Sequence, residues 1–179
     1  SRLMHDLAAI IEPQARAAGI HFYVRTDDIC NEKFYGDVLR LNQIFINILS
    51  NAIKFTPEGG TVDFMVEELP AVRCEDHVRY RFTIRDTGVG IKAEFLEHIF
   101  EPFTRSSNTS RVEGTGLGLS ITKGLVDLMG GVITVESKEL QGTVFRVELE
   151  CERAEDLDVW AEDIATGAGV KEKATLLEG

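Results

Sequence analysis

The sequence predicts an α+β domain built as a two-layer sandwich, with one mixed, mostly antiparallel sheet and about three helices packed on one face. Segments with helical and strand-like periodicity follow one another in the order α-β-α-β-β-α-α-β-β. Consecutive strand-like segments indicate hairpins, which strict β-α-β alternation would not contain. The predicted helices cover 2–18, 38–55, 92–99 and 117–129, and the predicted strands cover 20–25, 61–69, 78–86, 132–137 and 143–149.

The helices of the first half have recognisable start or stop signals. Apolar residues recur at helical spacing over 2–18, and Gly19 follows as a C-cap. Asp37 can N-cap the helix that begins at residue 38. The run T-P-E-G-G, which begins with Thr56, ends this helix because proline and glycine both interrupt helical structure.

The second half contains two strand pairs and one long polar connection. The alternating segments 61–69 and 78–86 are separated by a polar turn, so they predict an antiparallel hairpin. The stretch 104–116 is rich in Ser, Thr, Asn and Gly and is too long for a simple connector, which is typical of a mobile lid over a ligand. The glycine pair at 130–131 separates the last helix from the last two strands.

Composition and charge narrow the class of protein. The net charge of −11 argues against binding a nucleic-acid backbone across the surface, although one nucleotide could still occupy a locally basic pocket. No run of about 18 apolar residues or cleavable leader is present, so we expect a cytoplasmic domain. The cysteines Cys30, Cys74 and Cys151 lack C-x-x-C pairing and suit a reducing compartment better than a disulfide or zinc framework.

The sequence suggests three parts along the chain. Residues 1–19 are expected to be a helical lead-in, residues 20–150 the folded domain, and residues 151–179 an acidic linker or tail. From residue 150 onward the chain has nine acidic and three basic residues and lacks sustained periodicity. We therefore expect this tail to be an exposed linker.

The helix predicted at 38–55 carries an unusual polar stripe. At 100° per residue six side chains fall within one arc of about 100°. These six are Arg40, Gln43, Asn47, Ser50, Asn51 and Lys54. The arc could simply face water, but asparagine is a poor helix former. Alternatively, Asn47 and Asn51 project together, so that their amide oxygens could meet Mg²⁺ while Lys54 meets phosphate.

Two glycine motifs suggest a nucleotide. D-T-G-V-G, from Asp86, ends a strand with a carboxylate that can accept a hydrogen bond from an exocyclic amine, which favours adenine. G-T-G-L-G-L-S, from Gly114, opens a helix and can turn backbone N–H groups toward phosphate. An ordinary turn and an unliganded glycine hinge remain the alternatives. Neither a P-loop nor a Rossmann pattern fits the second motif.

Four motifs in a fixed order carry a family resemblance. They are N-I-L-S-N-A-I-K-F from Asn47, D-T-G-V-G-I from Asp86, F-E-P-F from Phe100 and G-T-G-L-G-L-S from Gly114. They resemble the N, G1, F and G2 boxes of the ATP-binding domain of two-component sensor histidine kinases. This domain belongs to the wider GHKL superfamily with gyrase-type and chaperone-type ATPases. The resemblance covers roughly residues 20–150 and implies the Bergerat fold and the cofactors ATP and Mg²⁺.

The resemblance also implies roles for individual residues. Asn51 would coordinate Mg²⁺, Asn47 would lie beside it near the phosphates, and Lys54 would contact phosphate. Asp86 would bind the adenine amino group and is joined to the hydrogen-bond network by Thr143. Phe100 and Phe103 would anchor a lid to the domain body. The catalytic residues would be Asn47, Lys54 and Arg105, with Arg105 in contact with phosphate. The other implied nucleotide-site residues are Phe55, Gly88, Gly90, Ile91, Thr104, Gly114, Gly116, Leu117, Gly118 and Leu119.

The resemblance implies phosphoryl transfer to a protein. Gyrase-type members carry a water-activating glutamate where this chain has Asn47, and an amide cannot act as that base. Catalysis would then rest on positioning and charge neutralisation. None of the four histidines, His5, His21, His77 and His98, lies in the family's phosphoacceptor context. We therefore expect the acceptor on an upstream dimerisation domain, no autophosphorylation of this chain, and a response-regulator receiver domain as a partner.

Further expectations and two alternatives follow from the same motifs. The full-length protein is expected to be a homodimer of hybrid type with its own receiver domain, whereas this chain alone is expected to be a monomer. One alternative keeps the fold but makes the protein a serine/threonine kinase of the anti-sigma type. The other is a non-catalytic module in which bound nucleotide only orders the lid. The chemistry of the phosphorylated product discriminates among the three.

Overall fold

The computed structural model describes residues 2–102, 118–154 and 172–177. Helices and strands alternate irregularly along them, as the sequence predicts. The helices are α1 (Leu3–Ala17), α2 (Val38–Phe55), α3 (Ala93–Leu96) and α4 (Gly118–Leu128). The strands are β1 (His21–Asp27), β2 (Lys33–Gly36), β3 (Thr61–Leu69), β4 (His77–Asp86), β5 (Val132–Lys138), β6 (Gly142–Arg153) and β7 (Glu172–Thr175).

One seven-stranded sheet organises these elements. Its strand order is β1-β3-β4-β6-β2-β7. Strand β5 also pairs with β6, along residues 142–148, whereas β2 pairs with β6 at residues 152–153. Only the β1–β3 pairing is parallel among the named strands. The sheet is therefore mixed and mostly antiparallel, and with α1, α2 and α4 it confirms the predicted α+β sandwich.

The helix-facing side of the sheet forms the hydrophobic core. Strands β3, β4 and β6 alternate buried and less buried residues, so one face of each is apolar. The rings of Phe45, Phe64 and Phe82 cluster between α2 and the sheet, with centroids 4.4 Å apart for Phe45 and Phe82. Helix α2 is buried on most of its circumference, which explains the excess of apolar residues in its sequence.

The opposite face of the sheet is charged. Arg81 bonds both Glu67 and Glu148, and Arg79 also bonds Glu148. Partial burial alone would raise the pKa of Glu148, but the hydrogen bonds from Arg81 and Arg79 outweigh it and lower this pKa. This side of β4 and β6 is thus a network of paired charges in contact with water.

The structure corrects the expected linker. Strand β6 continues three residues past the expected boundary at residue 150, and β7 pairs antiparallel with β2. Ala174 and Leu176 are buried in the core. The segment 172–177 is therefore part of the folded sheet rather than an exposed tail. Four-residue strands such as β2 and β7 carry too short an alternation to be identified from sequence, and pairing with distant partners defines them.

Helix α1 is also part of the core rather than only a lead-in. Leu3, Leu7 and Ile11 are fully buried against the rest of the domain. The backbone N–H of Met4 donates to Leu176 O at 3.1 Å, which joins the start of α1 to the segment after β7. Helix α3 covers only Ala93–Leu96 of the predicted 92–99. No helix in the described residues is long and apolar enough to cross a membrane.

Candidate functional site

The last residue of β4 is a buried carboxylate. Asp86 is only 7% exposed. Its Oδ1 accepts hydrogen bonds from the backbone N–H of Gly88 at 2.9 Å and of Thr143 at 3.3 Å. Burial raises the pKa of Asp86, and these two hydrogen bonds oppose that rise without cancelling it. Because no ion pair reaches Asp86 within the described residues, its second oxygen keeps acceptor capacity for a ligand.

The glycines after Asp86 allow three segments to meet. A Cβ on Gly88 would lie 2.5 Å from Phe55 O, and Val89 N donates to that same oxygen at 3.2 Å. Gly90 has φ +69°, and a Cβ there would collide with the Lys138 carbonyl. The D-T-G-V-G loop is thus pressed between the end of α2 and the turn after β5, as close backbone approach requires.

Ser137 connects this loop to β6, a role that the sequence did not indicate. Its Oγ accepts a hydrogen bond from Ile91 N at 2.8 Å and lies 2.8 Å from Thr143 Oγ1. Thr143 lies opposite Asp86 in the β4–β6 pairing, so its backbone faces Asp86 while its hydroxyl meets Ser137. The structure therefore brings Asp86, Thr143 and Ile91 together, with Ser137 between them.

Asn47 joins α2 to the first turn of α4. Its Nδ2 lies 3.3 Å from Thr122 Oγ1 and 3.5 Å from Gly118 O. Thr122 is fully buried, and its hydroxyl donates to Gly118 O at 2.8 Å. The helix that follows the second glycine motif is thereby fixed against α2. Thr122 lies one helical turn after Gly118, a spacing that could have marked it in the sequence.

The remaining stripe residues on α2 lie on its accessible side. Asn51 is half-buried, and its side chain has no hydrogen-bond partner in the part of the chain that the structure describes. Lys54 is exposed, with Nζ 5.9 Å from the centroid of the Phe55 ring. Ser50 instead contacts Gln14 of α1 at 3.3 Å. Within the stripe, Ser50 therefore contacts helix α1, whereas Asn51 and Lys54 lie on the accessible surface of α2.

The chemistry of this surface fits a hard cation. Asn51 offers an amide oxygen one helical turn from Asn47, and neutral oxygen donors of this kind suit Mg²⁺, which keeps several waters when it binds. The nitrogen of Asn47 is directed to α4, which leaves its own oxygen as the remaining acceptor. The described residues thus offer a buried carboxylate at the end of β4, and amide oxygens and an ammonium group on α2.

Part of the predicted site lies outside the described residues. Phe103, Thr104, Arg105, Gly114, Gly116 and Leu117 belong to this part, so their roles stay predictions. Of the described flanking residues, Phe100 packs edge-on against Phe145 with ring centroids 6.5 Å apart. Leu119 packs against the core, and a Cβ on Gly118 would meet no described residue outside its own helical turn within 4 Å.

Comparison with known proteins identifies the family. The model of the histidine kinase-, DNA gyrase B- and HSP90-like ATPases matches residues 36–153, about two thirds of the chain. The chain belongs to this ATPase family, and membership implies ATP binding. The family assignment made from the four motifs is confirmed.

Relatives within the family are sensor kinases. The autoinducer 2 sensor kinase/phosphatase LuxQ of Vibrio vulnificus is 36% identical over 155 residues, which cover 85% of this chain and 18% of LuxQ. Hybrid signal transduction histidine kinase A of Dictyostelium discoideum is 44% identical over 118 residues, which cover 63% of this chain and 6% of that protein. This chain therefore spans about a fifth or less of the curated relatives it matches.

Solved structures agree with this assignment. Full-length ShkA in complex with AMPPNP has a TM-score of 0.71 and 31% identity, covering 86% of this chain and 30% of ShkA. Histidine kinase ThkA in complex with the response regulator protein TrrA has a TM-score of 0.64 and 29% identity, covering 83% of this chain and 39% of ThkA. The predicted fold is confirmed, the relatives and solved structures are histidine kinases, and the serine/threonine kinase alternative is not favoured.

Proposed function

We propose that this domain binds ATP with Mg²⁺ and transfers the γ-phosphoryl group to a histidine on a dimerisation domain outside this chain. The observation that carries the proposal is the buried Asp86, held by two backbone N–H groups at one end of the site, with Asn47, Asn51 and Lys54 on the adjoining helix. These groups match the two ends of one nucleotide.

Adenine would be recognised through Asp86. An ionised carboxylate accepts a hydrogen bond from the exocyclic amine of adenine, whereas the carbonyl oxygen of guanine at that position would repel it. Ser137 and Thr143 hold the surrounding backbone, so the carboxylate is fixed before the base arrives. Gly88 and Ile91 would contact the flat face of the base.

The phosphates would lie along the accessible side of α2. Asn51, with Asn47 beside it, would hold Mg²⁺, which neutralises phosphate charge when bound. The ammonium group of Lys54 would approach the phosphate oxygens, and Arg105 would add a second cation. Because the amide of Asn47 cannot remove a proton from water, direct hydrolysis lacks a base at this position. An imidazole nitrogen of the acceptor histidine would attack the γ-phosphorus, and ADP would leave.

The acceptor and the receiver belong to other domains. His5, His21 and His98 are exposed, and His77 lies at the start of β4. None has the family's acceptor context. ThkA binds a response regulator in its solved complex, and one relative is named a hybrid kinase. These names support a receiver domain as the next phosphate acceptor, and the boundaries of the upstream and downstream parts stay predictions.

The test is transfer of labelled phosphate. We expect the isolated chain to bind ATP in the presence of Mg²⁺, by calorimetry, and to incorporate no phosphate. Addition of the dimerisation domain from the same protein should give acid-labile, base-stable phosphate on that domain. Phosphohistidine on the isolated chain, or acid-stable phosphoserine or phosphothreonine on the partner, would contradict the proposal.

A matched pair of variants tests the cation position. Asn51→Ala should weaken Mg²⁺-dependent ATP binding by about tenfold or more, because a ligand oxygen is lost. The melting temperature should stay unchanged or rise, since alanine is the better helix former. Gln43→Ala on the exposed part of the same stripe should leave ATP affinity unchanged. Equal affinity for Asn51→Ala and the unmodified chain would remove Asn51 from the site.

A further inference from the structure

A second group of chemically reactive side chains lies in the turn between β3 and β4. Cys74, Asp76 and His77 each offer one donor atom, and these atoms all lie within 4.8 Å of one another. His77 Nδ1 is 3.0 Å from Asp76 Oδ1. Among the residues that the structure describes, three such donors converge only here.

The backbone beneath these side chains is held in place by the sheet. Arg153 N donates to Asp76 O at 2.8 Å, and His77 N donates to Cys74 O at 3.2 Å. The Glu150 carboxylate accepts hydrogen bonds from Val72 N at 3.1 Å and from Arg73 N at 2.7 Å. The turn is therefore attached to β6 at both of its sides, which limits the rearrangement that binding of a ligand would require.

The donor set differs from that of the nucleotide site. A thiolate, an imidazole and a carboxylate together suit Zn²⁺, whereas Mg²⁺ prefers oxygen ligands alone. In tetrahedral zinc sites, bond lengths of about 2.0–2.3 Å place neighbouring donors roughly 3.3–3.8 Å apart. Cys74 and Asp76 are exposed, so rotation of their side chains can close the remaining distance.

We propose that Cys74, Asp76 and His77 form a binding site for one zinc ion, with the fourth coordination position open to solvent. The site lies at the start of β4, while Asp86 ends that strand nine residues later, about 30 Å away. Zinc binding here is therefore separate from nucleotide binding, and the proposal does not depend on the proposed kinase function.

The experiment is a titration of the metal-free chain under reducing conditions. Zn²⁺ is followed by calorimetry, and Co²⁺ is used as a spectroscopic probe of the same site. We expect one equivalent to bind, with a thiolate-to-cobalt charge-transfer band that Zn²⁺ removes. Cys74→Ser should abolish this band and weaken Zn²⁺ binding by about tenfold or more, and His77→Ala should weaken binding similarly.

Two control variants match the chemistry of the site at other positions. Cys30→Ser removes another exposed thiol, and His98→Ala removes a histidine that also contacts a carboxylate, Glu101, at 2.9 Å. Both should retain the charge-transfer band and the Zn²⁺ affinity. ATP affinity, measured in parallel, should be equal in all four variants. Absence of saturable binding to the unmodified chain, or an unchanged band in Cys74→Ser, would overturn the proposal.

Discussion

Two carboxylates on the central strands occupy contrasting environments. Asp86, at the nucleotide end of β4, is buried and bound only by backbone N–H groups in the described structure, and its pKa is raised. Glu148, on the outer face of β6, is bound by Arg79 and Arg81, and its pKa is lowered. Neighbouring strands thus keep one carboxylate available for a ligand and neutralise the other with protein cations.

Under the proposed function, Asp86 is a place where the fold gives up stability for binding. An ionised carboxylate without a cation is unfavourable in a buried site, and the ligand supplies the missing hydrogen-bond donor. In Glu148, by contrast, both oxygens already accept hydrogen bonds from arginine, so protein cations neutralise its charge. The four predictions below test one side of this contrast at a time.

Gly142→Ala should have the largest effect, through the backbone that supports Asp86. Gly142 has φ +104°, and a Cβ there would collide with the carbonyl oxygen of Asp86. The strained conformation and the collision together should lower the free energy of unfolding by about 3 kcal/mol or more, measured by chemical denaturation. Gly124→Ala, at an exposed position in α4 where the new Cβ would meet no other described residue within 4 Å beyond its own helix, should instead be neutral or slightly stabilising. Equal stability of the two variants would contradict this account.

Asp86→Asn should have the next largest effect, and we expect it to weaken ATP binding without lowering stability. The remaining oxygen can still accept from Gly88 and Thr143, but the new amide group opposes the adenine amine. Loss of this charge-assisted hydrogen bond corresponds to about 2–3 kcal/mol, or roughly 30- to 150-fold in ATP affinity. Because the raised pKa means that ionised Asp86 opposes folding, the melting temperature should stay unchanged or rise.

The pH dependence of ATP binding provides a second test of Asp86. Binding needs the ionised form, and the raised pKa means that protonation begins at higher pH than for an ordinary aspartate. ATP affinity should therefore fall on acidification before ordinary carboxylates titrate. Calorimetric titrations across this pH range, corrected for protonation of ATP, should show no such component in Asp86→Asn. The same component in both proteins would assign it to another group.

Glu148→Gln should have the smallest effect. Removing one charge from the partly exposed network should cost about 0.5–1 kcal/mol of stability at neutral pH and leave ATP affinity unchanged. The folded-state pKa of Glu148 is lowered, so its contribution is present above the ordinary carboxyl pKa and is lost as pH falls through the lowered value. Denaturation curves of the two proteins should therefore converge in acid and in high salt. A loss of ATP binding would show that the two faces are coupled.

The strong local signals in the sequence predicted most of the fold. Periodicity and stop signals located α2 between Asp37 and Thr56, with the cap hydrogen bond from Arg40 N to Asp37 Oδ1 at 3.1 Å. The same reasoning failed for β2 and β7, which are four residues long and gain stability only from partners far along the chain. A short segment of alternating residues becomes a strand when a sheet edge is available to pair with it.

The candidate site shows the same division. The stripe on α2 and the glycines after Asp86 could be found in the sequence, because helical spacing and backbone freedom are local properties. The contacts of Thr122 with Asn47 and of Ser137 with Ile91 could not, since those pairs are 75 and 46 residues apart.

The sequence by itself indicated the candidate nucleotide-site residues and determined which helices and long strands form. Only the tertiary structure decided how these residues meet. Pairing of β4 with β6 places the Thr143 backbone against Asp86. The physical reason is that side-chain spacing acts over one or two helical turns, whereas hydrogen-bond partners and burial depend on which distant segments the sheet joins.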